Sequence, residues 1–130
     1  RIHRQGSHAS IITYGMGVHW ADTLASRVFE QSGISLEILD LRSLLPLDKE
    51  AIIATVKNTG RVLLLQEPSE FMGPMSEVAA IIAQEAFHHL DAPIGRCSSL
   101  NTPIPTNTRL EEGYMAPYRL EKELVKLLEY

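Results

Sequence analysis

Val62-Leu63-Leu64-Leu65 is an unbroken apolar run lying between Arg61 and Gln66. A strand with one wet face alternates apolar and polar residues, whereas a strand with no alternation must be covered on both sides, as inside a parallel sheet. The run is therefore the candidate central strand, and helices must cross above and below it. Ser10 to Tyr14 reads as a strand ended by Gly15-Met16-Gly17; Val18, Ala21, Ala25 and Val28 then recur at helical spacing until Gly33 offers a left-handed stop. Ser35 to Leu41 reads as another strand. After Pro46 a helix is predicted with Asp48 as N-cap and Leu47 stapled onto Ile52, stopping near Gly60.

Gly73-Pro74 opens the next helix, because proline at the first helical position loses no hydrogen bond. Met75, Val78, Ala79, Ile82 and Ala86 make its apolar stripe, and Ile81, Ala83 and Phe87 widen it almost all round. A strand over Ile94 to Ser98 follows the Asp91-Ala92-Pro93 turn, Asn101 to Asn107 is a loop, and a last helix from about Tyr118 places Leu120, Leu124, Leu127 and Leu128 on one face. Strands alternating with helices predict an α/β fold of three layers, α/β/α, with a mostly parallel sheet and right-handed βαβ crossovers. At 130 residues this is a single domain, 1–130.

Composition narrows the function classes. With 45% hydrophobic and 22% charged residues the chain is globular, and its apolar runs fall far short of the roughly 20 residues that span a bilayer, so no membrane role is expected. Twelve basic against sixteen acidic side chains disfavour a phosphate-tracking surface, so nucleic acid is not an expected partner. The lone Cys97 has no internal disulfide partner and no zinc-ligand spacing, which points to a reducing interior. The opening Arg1-Ile2-His3-Arg4, with neither initiator methionine nor apolar signal region, reads as a piece cut from a longer polypeptide.

Ligands of such sheets sit beyond the carboxyl ends of the strands, which directs attention to Gly15–His19, Asp40–Arg42, Glu67–Gly73 and Ser98–Asn101. Gly15-Met16-Gly17 occupies the place of a dinucleotide phosphate loop, but the third glycine of that fingerprint falls on Trp20, so a tight turn is the better reading. His19 has the right residue type for a general base but no partner placed by the sequence. His88-His89 ends a helix, where capping the dipole outweighs metal binding, since adjacent helical histidines diverge. Glu67, with Glu70 as a second carboxylate, is the most suggestive acid, and a structural or interface role is favoured over paired acid–base chemistry. Cys97, whose neighbour Arg96 should leave on the opposite face, reads as a buried inert thiol. Met16, Met72 and Met75 read as packing residues rather than as a ligand set.

Taken in order, Ile11-Ile12-Thr13-Tyr14-Gly15, Val18-His19-Trp20-Ala21, Leu39-Asp40-Leu41-Arg42-Ser43-Leu44-Leu45-Pro46-Leu47-Asp48, Lys57-Asn58-Thr59-Gly60-Arg61, Gln66-Glu67, Ser76-Glu77-Val78-Ala79, Leu90-Asp91-Ala92-Pro93-Ile94 and Asn101-Thr102-Pro103-Ile104-Pro105 cover nearly the whole chain. They resemble the carboxy-terminal domain of transketolase-like enzymes, most nearly that of the β-subunit of thiamine-diphosphate-dependent 2-oxo acid dehydrogenases (the branched-chain 2-oxo acid or pyruvate enzymes). Two departures stand out: Met72-Gly73-Pro74-Met75 keeps one glycine of a Gly-Gly-Phe-Gly type of segment, and Asn101 stands where an Asp is common.

The resemblance implies an oxidoreductase whose parent enzyme decarboxylates a 2-oxo acid on thiamine diphosphate with magnesium and passes the acyl group to lipoyl-lysine. It places that cofactor between the α-subunit and the amino-terminal domain of the β-subunit, so no catalytic, cofactor-binding or metal-binding residue is expected in this domain, and the isolated domain is expected to be inactive. The implied role is assembly with a second β-subunit, with an α-subunit or α-domain, and with the peripheral-subunit-binding domain of the dihydrolipoyl acyltransferase. The family's acidic docking contact matches Asp91, and its chain-terminal carboxylate matches that of Tyr130 where Tyr130 is the native end. The wide apolar circumference of the Pro74–His89 helix makes Pro74, Met75, Ile81 and Ile82 candidate interface residues, with self-association expected. The implied location is the cytoplasm in a bacterium and the mitochondrial matrix in a eukaryote. Two alternatives stand beside this reading: the same domain of a transketolase or deoxyxylulose-phosphate synthase, and a free-standing module for a small ligand or nucleotide.

Overall fold

A computed structural model describes all residues, 1–130. The strands are β1 (Ile2–Arg4), β2 (Ala9–Thr13), β3 (Leu36–Asp40), β4 (Val62–Ser69) and β5 (Gly95–Ser99). The helices are α1 (Met16–Ser32), α2 (Lys49–Thr59), α3 (Pro74–Glu85), α4 (Thr108–Tyr114) and α5 (Pro117–Leu128), with a 3-10 turn at Phe87–His89. The five strands lie in the order β1-β3-β2-β4-β5; β3, β2, β4 and β5 are mutually parallel and β1 is antiparallel.

Alternate residues of one strand serve opposite layers, as the pleat requires. Leu63 and Leu65 of β4 join Ile11, Leu24, Ala25, Leu120 and Leu124 on one side, while Val62 and Leu64 join Ile12, Ile52, Val56, Val78 and Ile82 on the other. The unalternating run is thus covered on both faces by helices, which makes the fold α/β/α. Its expected central position is corrected: β2 occupies the middle of the five strands, and β4 lies beside it. β2 carries the polar Ser10 and Thr13, yet every residue of that strand is buried. The Ser10 hydroxyl is satisfied there by a 2.7 Å hydrogen bond with the Thr59 hydroxyl.

Local signals fix the helix ends. The Asp48 carboxylate accepts from the Ala51 amide at 3.0 Å, and Leu47 packs in the same cluster as Ile52. Gly33 and Gly60 close α1 and α2 in the left-handed conformation, with φ of 72° and 65°.

Three features depart from the sequence reading. First, β1 is a three-residue edge strand with no apolar pattern, held instead by Arg4, which donates to Asp22 Oδ1 at 3.0 Å and Ser26 Oγ at 2.8 Å on α1. Second, α4 has no buried residue, so no periodicity announces it; Asn107 caps it by accepting from the Arg109 amide. Third, α3 stops at Glu85, and His88 and His89 belong to the separate 3-10 turn rather than capping the long helix. Their ring centroids are 4.1 Å apart, and desolvation, then the neighbouring His88 and Lys57 charges, lower the His89 pKa below its usual value.

The candidate interface on α3 also requires correction. Met75, Ile81 and Ile82 are buried within the chain itself, and Pro74 is half-buried. Met75, Val78 and Ile82 pack in the cluster shared with β4 and α2, while Ala83 and Phe87, which widened the stripe, remain exposed. Met75, Ile81 and Ile82 therefore offer no exposed apolar surface of their own.

Cys97 is buried on β5, with its thiol donating to the Ala116 carbonyl at 3.4 Å. Burial pushes the thiol up to about 11, with the Arg119 charge acting in the opposite direction. A neutral thiol is a poor nucleophile, so the native chain should resist iodoacetamide at pH 8 and react once unfolded, as mass spectrometry would read. Fast labelling of the native chain would contradict this packing. Because the folded pKa is the higher one, the stabilisation is complete below about pH 9 and is lost as pH rises towards 11.

Candidate functional site

At the carboxyl edge of the sheet β2 and β4 lie side by side, and their following helices cover opposite faces, which is the crevice where α/β sheets receive ligands. A cavity of about 510 Å³ opens there. Tyr14 and Gly15 follow β2, Glu67 belongs to the end of β4, and Ser99 ends β5. Met16 and Ile104 give apolar walls, and Glu111 of α4 closes one side.

The Gly15-Met16-Gly17 turn has its own reasons. Gly15 adopts φ 59°, which favours glycine, and a Cβ at Gly17 would overlap the Thr13 hydroxyl. The Gly17 and Val18 amides donate to the Tyr14 and Gly15 carbonyls at 3.1 and 3.2 Å, so they are satisfied inside the turn.

Of the two suggestive carboxylates, only Glu67 faces the cavity. Its charge, after desolvation, raises the Tyr14 phenol pKa above the ordinary value. Glu70 is fastened by Arg96 through a 3.0 Å ion pair, and the same guanidinium donates to the Glu70 carbonyl at 3.1 Å and Ser76 Oγ at 2.9 Å. The two acids have different surroundings and do not share the cavity. Exposed His19 is absent from the lining, Asp40 is paired with Arg42 at 3.3 Å, and Met16, Met72 and Met75 stand in the cavity wall, in solvent and in the core respectively. No group of three His, Cys, Asp or Glu side chains converges anywhere on a metal position.

The residues present do not fit thiamine diphosphate. A diphosphate with magnesium needs cations or converging oxygen ligands, whereas this cavity presents Glu67 and Glu111 and no lysine, arginine or histidine.

Asp91 lies at the opposite, amino edge, on the turn that leads to β5. Its amide donates to the Gly60 carbonyl at 2.8 Å, and its carboxylate rests against Gly60, where a Cβ would collide with it. The side chain remains 64% exposed, 4.0 Å from Arg61 Nη1. Helix α5 begins beside the end of β5, where Arg119 donates to the Ser98 carbonyl. It packs along β5 and β4, and Leu127 near its end joins the cluster that holds Ala92. Tyr130 follows, 71% exposed. Sequence reasoning missed Tyr14, Ser99 and Glu111 as neighbours; the strand-end rule marks the first two regions, but nothing in the unpatterned α4 segment points to Glu111.

Residues 1–117 match the family model described as transketolase, C-terminal domain. The 2-oxoisovalerate dehydrogenase subunit beta of Bacillus subtilis is 41% identical over 99% of this chain and 40% of its own length. The pyruvate dehydrogenase E1 component subunit beta of Rhizobium meliloti is 38% identical over 86% of the chain and 24% of its own length, and the mitochondrial one of Saccharomyces cerevisiae 37% over 86% and 31%. The chain thus spans less than half the length of these curated relatives. A solved split-gene transketolase, an inactive beta4 tetramer, superposes with a TM-score of 0.85 at 23% identity over 99% of this chain and 42% of that one, a likeness of fold. No helix is long and apolar enough to cross a membrane. By family model the chain belongs to the transketolase C-terminal domain family, and its curated relatives include β-subunits of 2-oxo acid dehydrogenases.

Proposed function

We propose that the chain is the assembly domain of the decarboxylating component of a 2-oxo acid dehydrogenase complex. In this reading the parent oxidoreductase decarboxylates a 2-oxo acid on thiamine diphosphate held with magnesium outside these residues, and passes the acyl group to lipoyl-lysine. The partners are a second β-subunit, an α-subunit or α-domain, and the peripheral-subunit-binding domain of the acyltransferase. The setting is the bacterial cytoplasm or the mitochondrial matrix. The observation that carries the reading is 41% identity across 99% of the chain to a 2-oxoisovalerate dehydrogenase β-subunit, a match of the whole domain rather than of one motif.

Asp91, and the carboxylate of Tyr130 where Tyr130 is the native end, are the docking residues in this proposal. An exposed carboxylate anchored on a rigid turn suits a basic partner, because its charge is displayed with little ordering cost. In the full assembly, Asp91→Asn keeps the turn's shape and removes the charge, and where Tyr130 is the native end its deletion moves the terminal carboxylate. Each variant should bind the peripheral-subunit-binding domain about tenfold more weakly at low salt, and added salt should weaken the parent itself. Calorimetric affinities equal to the parent's for both variants would overturn the docking assignment.

A further inference from the structure

The cavity at the carboxyl edge has no place in the assembly reading, and its chemistry is specific. Two carboxylates, Glu67 and Glu111, enter its wall, and neither has a basic partner within 4.0 Å. Lysine, arginine and histidine are absent from the lining. Ser99, only 3% exposed, also lines the cavity, and its hydroxyl has no hydrogen-bond partner. Buried hydroxyls are nearly always satisfied, so an orphan in a cavity wall marks a position where a ligand group or water completes the site. The Tyr14 phenol adds a further polar group beside Glu67, and Met16 and Ile104 supply apolar surface. A volume of about 510 Å³ lies within the usual range for small-molecule sites.

We propose that this cavity binds a small organic cation, an ammonium or amidinium group on a compact apolar body. The charged head would be held by Glu67 and Glu111, a hydroxyl or N–H of the ligand would reach Ser99, and the body would lie against Met16 and Ile104. Anions are disfavoured on the same grounds: two uncompensated carboxylates repel them, and the Gly17 and Val18 amides at the start of α1 are already bonded within their own turn. The inference does not depend on the assembly reading.

Three probes of one shape separate the contributions: benzylamine, benzyl alcohol and benzoate, titrated into the 130-residue chain at pH 7.5 and followed by amide NMR shifts. Benzylamine should saturate with shifts centred on Tyr14, Gly15 and Ser99; benzyl alcohol should bind about tenfold more weakly, and benzoate should leave these resonances unmoved. The double variant Glu67→Gln with Glu111→Gln should lose about tenfold in benzylamine affinity while keeping that for benzyl alcohol. Both side chains sit on exposed residues, so the folded spectrum should persist. Ser99→Ala should weaken benzyl alcohol, whose hydroxyl it would meet, and leave the charge preference intact. Benzoate binding as tightly at the same residues, no saturable benzylamine shift, or undiminished benzylamine binding by the double variant would overturn the proposal.

Discussion

Replacing Leu64 with alanine should lower the unfolding free energy by about 2–5 kcal/mol, the range for truncating a fully buried leucine that leaves a cavity. Leu64 is 0% exposed in β4, level with Ile12 on β2 and Arg96 on β5, and belongs to the cluster beneath α2 and α3. Strands on both sides and helices above leave the backbone little freedom to close the gap, which favours the upper half of that range. Urea denaturation should show a lower midpoint at unchanged slope. Leu45 provides the contrast: it is 93% exposed, and Leu45→Ala should stay within about 0.5 kcal/mol of the parent. Equal losses at the two positions would refute the doubly covered sheet.

Gln66→Leu should be nearly as damaging, for a different reason. Gln66 is 0% exposed at the end of the apolar run, where its amide donates to the Ser69 carbonyl at 2.7 Å and its carbonyl oxygen accepts from the Met75 amide at 2.9 Å. One side chain thus closes the β4–α3 loop and satisfies an orphan donor in the first turn of α3. Leucine fills the space but answers neither group, at about 1–3 kcal/mol for each group left without a partner. Gly73 is coupled to this arrangement. Its φ of −74° and ψ of 156° suit any residue, but a Cβ there would overlap the Gln66 carboxamide. Gly73→Ala should therefore be destabilising in the parent and much less so beside Gln66→Ala. Additive losses in that double-mutant cycle would dismiss the coupling.

This contact explains one departure noted in the sequence. Of the glycine-rich segment expected before α3, the glycine retained is the one against which Gln66 packs. Asn101, the other departure, accepts from the Phe71 amide at 2.9 Å and so ties the loop after β5 to the loop after β4, a task that needs an oxygen but not a charge.

The sequence by itself determined whatever is written in neighbouring residues. The order of strands and helices, the Asp48 cap, the Leu47–Ile52 staple and the glycine stops of α1 and α2 are local events, set by periodicity and by backbone freedom at single positions. The unalternating β4 announced a sheet covered on both faces for the same reason. Only the tertiary structure decided what depends on residues far apart in the chain. It put β2 in the middle, where Ser10 is buried with its hydroxyl bonded to Thr59, a partner 49 residues away. It buried Ile81 and Ile82 within the chain, although a helical wheel cannot distinguish a face covered by the same chain from one left for a partner. It formed β1 and α4, whose residues carry no hydrophobic rhythm, β1 through pairing with β3 and the Arg4 side chain, α4 with the Asn107 cap. And it assembled Tyr14, Glu67, Ser99 and Glu111 around one cavity, because parallel strands deliver their carboxyl ends to the same edge however far apart they lie along the chain.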